Sequence, residues 1–424
     1  MARVAKAFKN LSNIFSEDDI IDESIIEELE ISCEFVYEIE SNAIYVVDKR
    51  DETHILHSLE SIILTLIFAM MANCNRFTEI HLFMCKHFEW LDKHIHFDNG
   101  IPSISTLRRV ISFINPKELE NLCTKVMNKF LKNNDPVYES NDLVIEDIKS
   151  MDGKTANSSD RKSSNEGEVA KMNAMSIISV KNGNCEATEF IEDKTNEIPT
   201  GPELLKRIDI KNKLITFDAL STQEKTISYI VDKGGFYIAP VKGNQGTLER
   251  NLKGYFNDSK LYEDAKKNGY FITIEKRNGD ADTREYIFTN DINWIENKEK
   301  WAGFKSIGIA KRTYVNDKGE TVTDIRYFIS NIDASHIEII SRGIRGEWCI
   351  ENQLHYYLDM VFEEDKNTCF VENSQKNLNI VRKFCLSILK NFKKSVKLSM
   401  NDIRFNIAMD FDNEIEKILK CLYK

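Results

Sequence analysis

The 424-residue chain lacks an apolar run long enough to cross a bilayer. Its longest such run, residues 62–72, is interrupted only by Thr65 and falls well short of the ~20 residues that a membrane helix needs. Residues 1–10 are basic, but no apolar segment follows them, so we expect no secretory signal. With 42% hydrophobic and 29% charged residues, the composition predicts a globular cytoplasmic protein of two or three domains.

The sequence also lacks closely spaced cysteine pairs. The chain has nine cysteines, an odd number, and no Cys-x-x-Cys pair. This pattern predicts reduced thiols and disfavours a structural zinc site. Histidine is absent between His96 and His336, which disfavours a hydrolytic triad built on a central histidine.

Basic side chains are absent from residues 17–40, which contain eleven acidic ones. Those eleven account for the whole excess of 68 acidic over 57 basic side chains, so the rest of the chain has no net charge. Residues 373–401, by contrast, contain no acid and seven cations, Lys376, Arg382, Lys383, Lys390, Lys393, Lys394 and Lys397. Such asymmetry is typical of a nucleic-acid face, but a solvated helix face explains it equally well.

The N-terminal part divides into an acidic leader, residues 1–50, and a helical domain, residues 51–140. The alternation of Phe35, Tyr37 and Ile39 predicts a hairpin in the partly ordered leader. Beyond it, apolar residues recur at helical spacing, either Ser103 or Ser105 is a typical helix cap, and Pro116 is a typical helix start. These short helices carry the basic pair Arg108 and Arg109, which indicates either a helix-turn-helix-like DNA reader or a helical scaffold.

From residue 141 the pattern changes to alternating strands and helices. Three strands, a helix, a strand, a helix and a strand follow one another over residues 141–249, the element order of a ribonuclease H-like fold. Residues 250–333 are predicted to form a β-rich insertion, and residues 334–424 a core helix and a helical C-terminal region. The predicted fold class is therefore α/β, a ribonuclease H-like mixed sheet with a β-rich insertion, an N-terminal helical domain and a helical C-terminal extension.

Three acidic side chains occupy characteristic places in this pattern. Asp152 and Asp218 end the predicted strands 148–152 and 214–218, and Glu351 lies within a helical pattern. Each alone is commonplace, because Asp-Gly forms turns, Asp caps helices and Glu is usually solvated. Carboxylates at strand ends point off the sheet edge where α/β proteins bind ligands, and three together suit Mg²⁺ or Mn²⁺.

Over about residues 50–400 the chain resembles the DDE transposases of bacterial insertion sequences, of the H-repeat-associated type. The matching segments include NGIPSISTLRRVISFINPKELE at 99–120, MDGKT at 151–155 and ITFDALSTQEKTISYIVDKGGFYIAPVKGNQGTL at 215–248. A further match is RGEWCIENQLHYYLDMVFEED at 345–365. The combination is highly specific, although each segment alone is not.

The resemblance implies that Asp152, Asp218 and Glu351 are a catalytic triad holding two Mg²⁺ or Mn²⁺ ions. Two ions roughly 3.5–4 Å apart stabilise the attacking and leaving oxygens of a phosphoryl displacement. The implied activity is DNA cleavage at element ends followed by strand transfer into target DNA. The implied partners are both DNAs and a second copy of the chain in a synaptic complex at the bacterial nucleoid. The predicted DNA contacts are Lys154, Lys242, Asn244, Arg345, Arg108 and Arg109.

Three departures from the family pattern remove cations from places where DNA is expected. Glu347 replaces an Arg or His four residues before the catalytic Glu, and only a metal or Arg345 is expected to compensate it. Leu358 replaces a Lys seven residues after that Glu, and residues 278–280 replace His-Gly-Arg. Two alternatives therefore remain, a catalytically impaired relic that binds DNA and a structure-selective nuclease that never joins strands. Trp348, on the same helix, is predicted to pack in the core, with stacking on a displaced base as the alternative.

Overall fold

The structure is a computed structural model that describes residues 34–95, 97–130, 135–157, 171–191, 197–277, 280–366, 369 and 371–422. Most of the acidic leader and the departure at Asn278-Gly279 lie outside these residues. Within them, the eight cysteines are all free thiols. None of the helices in the described part of the chain has the length and hydropathy needed to span a membrane.

Helices dominate the first and last parts of the described residues. Residues 34–43 are helical, so the hairpin predicted there is wrong. Phe35 and Ile39 are buried one helical turn apart, a spacing that the short alternating pattern concealed. The N-terminal helices that follow are α1 (Leu59–Met71), α2 (Phe77–Lys86), α3 (Phe88–Ile95), α4 (Ile104–Phe113) and α5 (Pro116–Phe130).

The middle of the chain alternates strands with helices. A small antiparallel pair, β1 (Tyr138–Glu139) and β2 (Val144–Ile145), comes first. The elements that follow are β3 (Asp147–Thr155), β4 (Asn173–Ser179), β5 (Cys185–Ile191), α6 (Glu197–Leu205), β6 (Lys213–Phe217), α7 (Glu224–Asp232) and β7 (Phe236–Val241). Next come α8 (Gly246–Asn257), α9 (Ser259–Asn268), β8 (Gly269–Arg277), β9 (Asp280–Thr289), β10 (Ser306–Val315) and β11 (Thr321–Ser330).

Nine strands of the described residues form one mixed sheet, in the order β5-β4-β3-β6-β7-β11-β10-β9-β8. Strands β3, β6 and β7 are parallel neighbours, and the remaining pairs are antiparallel. The β-rich segment after residue 250 thus extends the sheet, because Ile329 of β11 pairs with Ala239 of β7. The protein has a mixed α/β fold.

The sheet carries helices on both faces. Alternate residues of each strand point to opposite faces, so Ile148 and Leu214 pack with helix α10 (Ile337–Ile350). Their neighbours Met151 and Ile215 belong to a second core, shared with residues of α6, α7 and α8. Helix α10 thus lies against the face on which the even-numbered residues of β3 and β6 are found.

A third core unites the two ends of the chain. It contains Phe35, most of α1 and residues of α12 (Glu372–Lys393), α13 (Met400–Met409) and α14 (Phe411–Leu422). In α1 every residue except Glu60 is buried. Helix α12 is the axis of this body, since it packs on α1, α4, α5 and α14. The N-terminal and C-terminal helices therefore share one hydrophobic core.

The buried cations of α12 fit neither a nucleic-acid face nor a solvated helix face, the two explanations of the basic run 373–401. Arg382 is 1% exposed and Lys383 5% exposed, and the Lys383 ammonium donates to the hydroxyls of Ser176 and Thr188. Lys390 donates to the carbonyl of Gly183. Lys383 and Lys390 join the helix to β4, β5 and the turn between them, whereas Arg382 lies 3.7 Å from Glu364, so the run is not a continuous nucleic-acid face.

Candidate metal centre at the sheet edge

Two of the predicted acids follow adjacent parallel strands at the same level. Met151 of β3 pairs with Phe217 of β6, so Asp152 and Asp218 are the next residues on each chain. Strand β3 does not end at Asp152 as predicted. It continues to Thr155, because β4 still pairs with it where β6 has already ended. Both acids continue the even-numbered series of residues that faces α10.

Helix α10 brings the third acid to this edge. The helix lies close to the sheet because Gly343 has no Cβ, which would collide with Ile238 and Leu214. The hydroxyl of Ser150 donates to the backbone carbonyl of Glu347 at 3.2 Å, fixing the helix end beside β3. Glu351 is the first residue beyond α10 and therefore projects from this end.

The structure brings Asp152, Glu351 and His355 together. One ligating atom of each lies within 4.8 Å of the others. His355 Nδ1 is 3.0 Å from Glu351 Oε2 and 3.8 Å from Asp152 Oδ2. The side chains of Asp152 and Glu351 are 36% and 60% exposed, whereas that of His355 is 4% exposed. Two solvent-facing carboxylates therefore lie within 4 Å of a buried imidazole nitrogen.

Asp218 lies outside this group of three. Its Oδ1 accepts a hydrogen bond from the backbone amide of Ser221 at 3.0 Å, so it caps the loop that leads into α7. The same loop is tied to the end of β7, since Asn244 Nδ2 donates to the carbonyl of Ala219 at 2.6 Å.

Sequence analysis missed His355, although the spacing Glu351-x-x-x-His355 was visible and places both residues on one helix face. The five residues Glu351–His355 form a turn of π-helix between α10 and α11 (Tyr356–Met360). Such turns are rare and frequently mark functional sites. Burial lowers the pKa of His355, and the nearby Glu351 carboxylate opposes this only in part.

Glu347 is compensated by a residue other than the one expected. Arg326 of β11 places Nη2 2.6 Å from both carboxylate oxygens of Glu347. The expected partner, Arg345, instead donates to Glu275 at 3.2 Å. Burial still raises the pKa of Glu347, with Arg326 acting in the opposite direction. The acid one turn before Glu351 is therefore part of an ion pair.

The predicted DNA contacts have different surroundings. Lys242 is exposed directly after β7, at the same sheet edge as Asp152 and Asp218. Asn244 is exposed but uses its amide in the loop contact described above, and Arg345 is 44% exposed in its pair with Glu275. Arg108 and Arg109 are exposed on α4, with the Arg108 guanidinium 5.9 Å from the ring centroid of Phe77.

Lys154 has a different environment. Its side chain is 11% exposed, and its ammonium is 2.7 Å from Asp359, 3.5 Å from Glu364 and 3.8 Å from Asp365. Burial lowers the pKa of Lys154, but these carboxylates outweigh it and raise the pKa. Lys154 is therefore better explained as a structural ion pair than as a DNA contact.

Trp348 is not in the core as predicted, because it is 56% exposed. It occupies the solvent side of α10, whereas the opposite side, with Ile344, is buried against the sheet. Trp348 stands among apolar residues in the sequence of α10, but its position on the helix turns it away from the buried side. An exposed indole beside Glu351 is available to a ligand.

The donor set fits a divalent cation. Asp152 and Glu351 offer carboxylate oxygens, which hard cations such as Mg²⁺ prefer, and Mn²⁺ accepts the same ligands. Asp152 and Glu351 already lie at ligand-to-ligand distance. The arrangement can hold a cation at a solvent-facing edge with cationic Lys242 beside it, as a phosphate-binding site requires.

Family models match two parts of the chain. A family model described as "DDE_Tnp_1-associated" matches residues 45–127, and one described as "Transposase DDE domain" matches residues 143–341. The second match includes Asp152 and Asp218 and ends before Glu351.

Curated relatives cover more of the chain. "Putative transposase YncI" of Escherichia coli O157:H7 is 31% identical over 367 residues, 85% of this chain and 90% of the relative. "H repeat-associated putative transposase YhhI" of Escherichia coli strain K12 is 30% identical over 353 residues, 82% of this chain and 89% of the relative. Among solved structures, "Cryo-EM structure of piggyBac transposase synaptic complex with hairpin DNA" covers 93% of this chain and 80% of that one. Its TM-score is 0.39 at 12% identity, a likeness too distant to define the fold.

Proposed function

Since the chain belongs to the DDE transposase family, we propose that Asp152, Asp218 and Glu351 are its catalytic triad. The reaction is cleavage of DNA at the ends of an insertion sequence, followed by attack of the freed 3′-hydroxyl on target DNA. The observation that carries the proposal is the convergence of Asp152 and Glu351, which are remote in sequence, at one end of the parallel strands.

We further propose that the core is ribonuclease H-like. The support is the strand order β5-β4-β3-β6-β7, in which a three-stranded antiparallel meander is followed by two parallel strands. Crossovers through α6 and α7 connect the parallel strands. In such a sheet, the carboxyl ends of β3, β6 and β7 meet at one edge, where ligands bind.

Asp152, Asp218 and Glu351 would hold two Mg²⁺ or Mn²⁺ ions. When bound, such ions activate a water or hydroxyl and stabilise the charge that develops on the scissile phosphate. The chain's own residues hold the acids in place, through the β3–β6 pairing and the helix contact at Ser150. The exposed ammonium of Lys242 neutralises backbone phosphate at this edge.

The relic alternative loses one of its supports. It rested on Glu347, on the missing basic residues and on the neutral charge of the body, and Arg326 neutralises the Glu347 carboxylate. Glu347 therefore contributes no free negative charge to repel DNA.

The proposed DNA surface contains Lys242, Asn244 and Arg345 in the same part of the fold as the metal centre. It also contains Arg108 and Arg109 on helix α4. Two element ends must be held together for joining, so we propose a homodimer in the DNA complex. With chromosomal DNA as substrate, the enzyme works in the bacterial cytoplasm at the nucleoid.

The test is cleavage of DNA that carries the sequences flanking the coding region, with Mg²⁺ or Mn²⁺. Wild-type protein should produce nicked and joined products. Asp152→Asn, Asp218→Asn and Glu351→Gln should each abolish them while retaining DNA binding. Asp232→Asn is the matched control, because Asp232 is an exposed acid at the end of α7, at the opposite edge of the sheet.

Three outcomes would contradict parts of the proposal. Cleavage that survives Asp152→Asn would show that the triad is wrong. Nicking by the wild-type protein without joined strands would favour the alternative that the protein is a structure-selective nuclease. Specific end binding without cleavage at any metal concentration would restore the relic.

A further inference from the structure

His355 is the buried member of the metal centre. Its side chain is 4% exposed, yet its Nδ1 reaches the solvent-facing carboxylate of Glu351 at 3.0 Å. Asp152 Oδ2 lies farther away, at 3.8 Å. The ring is therefore close enough either to ligate a cation directly or to donate a hydrogen bond to a carboxylate that does.

The other ring nitrogen decides between these roles. Nε2 of His355 is buried and has no hydrogen-bond partner among the described residues. A neutral imidazole carries one N–H and one lone pair. With the proton on Nε2, a buried N–H would have no acceptor. The lone pair of Nδ1 would then face a lone pair of the Glu351 carboxylate at 3.0 Å. With the proton on Nδ1, the ring donates one charge-assisted hydrogen bond to the carboxylate. Both the unpaired N–H and the repulsion between lone pairs are then avoided.

We propose that His355 is a positioning residue whose Nδ1–H holds Oε2 of Glu351, leaving Oε1 of that carboxylate to face a divalent cation. An Nδ1 that carries a proton has no lone pair, so His355 is not itself a ligand. The inference rests on the proposed function, because it assigns Glu351 to the cation site.

The need for such a residue follows from the exposure of Glu351. Its side chain is 60% exposed, and a free glutamate would sample many rotamers, each of which delays or weakens ligation. The π-turn makes the contact possible. The backbone amide of Tyr356 donates to the carbonyl of Glu351, which fixes the one turn that separates Glu351 from His355. Residues that orient ligands in this way commonly change metal affinity 10–100-fold when replaced.

The experiment measures Mn²⁺ binding to the full chain by electron paramagnetic resonance, with pulsed detection of nitrogen nuclei coupled to the bound ion. Wild-type protein should bind Mn²⁺ without the coupling of a directly bonded imidazole nitrogen. His355→Leu, which preserves an apolar volume, should weaken Mn²⁺ binding by about 10-fold or more. His355→Asn, which keeps an N–H donor near the position of Nδ1, should restore most of the affinity.

Each alternative result has a distinct meaning. Nitrogen coupling in the wild-type protein would show direct ligation and overturn the positioning role. Unchanged affinity in His355→Leu would overturn it as well, and so would His355→Asn binding as weakly as His355→Leu. Where the leucine variant fails to fold, nitrogen coupling in the wild-type spectrum or weak Mn²⁺ binding by His355→Asn would still overturn the role. Undiminished Mn²⁺ binding by Asp152→Asn would instead refute the cation site of the proposed function, whatever His355 does.

Discussion

Arg326 of β11 and Glu347 of α10 form an ion pair in which one guanidinium nitrogen lies 2.6 Å from both carboxylate oxygens. Their side chains are 24% and 17% exposed, so the pair is shielded from most of the solvent. It joins the part of the sheet that follows residue 250 to the helix that precedes Glu351. Because Glu351 directly follows α10, the pair anchors the end of the helix from which that carboxylate projects.

Replacing Arg326 with Met should leave Glu347 buried without its cation. Removing one partner of a shielded pair is costly, and we expect a loss of about 1–3 kcal/mol in the free energy of unfolding, measured in urea. The additional change Glu347→Gln should recover part of this loss, because no unpaired charge remains.

Lys267→Met provides the matched control. Lys267 pairs with Asp264 on α9, but the two side chains are 75% and 48% exposed, so its loss should be barely measurable. Equal losses for Arg326→Met and Lys267→Met would contradict the structural importance of the Arg326–Glu347 pair.

Local signals in the sequence predicted much of the fold. The side chain of Ser103 caps α4 by accepting from the amide of Thr106, and α5 begins at Pro116 as expected. Strand β6 ends at Phe217, one residue before Asp218. Caps, turns and periodicity are properties of neighbouring residues, and for that reason a single sequence reveals them.

Tertiary contacts account for what the sequence did not reveal. The extension of β3 past Asp152 depends on β4 as its partner, and the burial of Arg382 depends on the position of α12 in the helical core. Arg326 was not recognised because its partner lies on another element. The role of His355 depends on its burial beside the Glu351 carboxylate, which the spacing of the two residues does not reveal.

Lys242 should contribute to DNA affinity through phosphate neutralisation. Lys242→Ala should weaken binding to all sequences alike and reduce the slope of log K against log salt by about 0.9, the value for one phosphate contact. Fluorescence anisotropy with duplex DNA at several salt concentrations measures both quantities.

The control for this variant is Lys233→Ala. Lys233 is also exposed, but it precedes β7 whereas Lys242 follows it, so the two lie at opposite edges of the sheet. Its replacement should leave the salt slope unchanged. If Lys233→Ala lowered the salt slope more than Lys242→Ala did, the DNA would lie at the edge of the sheet opposite Asp152 and Asp218.

Lys390 should make the stability of the protein depend on pH. Burial lowers its pKa from 10.5 to about 7. Between these values the unfolded chain binds a proton that the folded chain does not, so this lysine makes stability rise with pH. Its contribution has a slope of at most ~1.4 kcal/mol per pH unit and is constant below pH 7, where both states are protonated.

Urea unfolding of the wild type and Lys390→Met from pH 7 to 9.5 tests this expectation. The difference in unfolding free energy between them should change with pH, in favour of the wild type as pH rises. Lys394→Met, an exposed position nearby on the chain, should show no such trend. A constant difference for Lys390→Met would mean that the lysine keeps its ordinary pKa.

Lys154 was expected to bind DNA, but its contacts predict a structural effect. Lys154→Met would leave Asp359, Asp365 and the nearly buried Glu364 without a shared cation, and we expect a loss of about 3 kcal/mol in unfolding free energy. The salt slope of DNA binding should remain that of the wild type, provided the measurement is made well below the unfolding temperature. Lys154→Met and Lys242→Ala should thus show opposite patterns, one losing stability and the other losing salt dependence. A reduced salt slope in Lys154→Met with stability preserved would return this lysine to the DNA surface, because a buried ion pair cannot be removed without cost while a phosphate contact can.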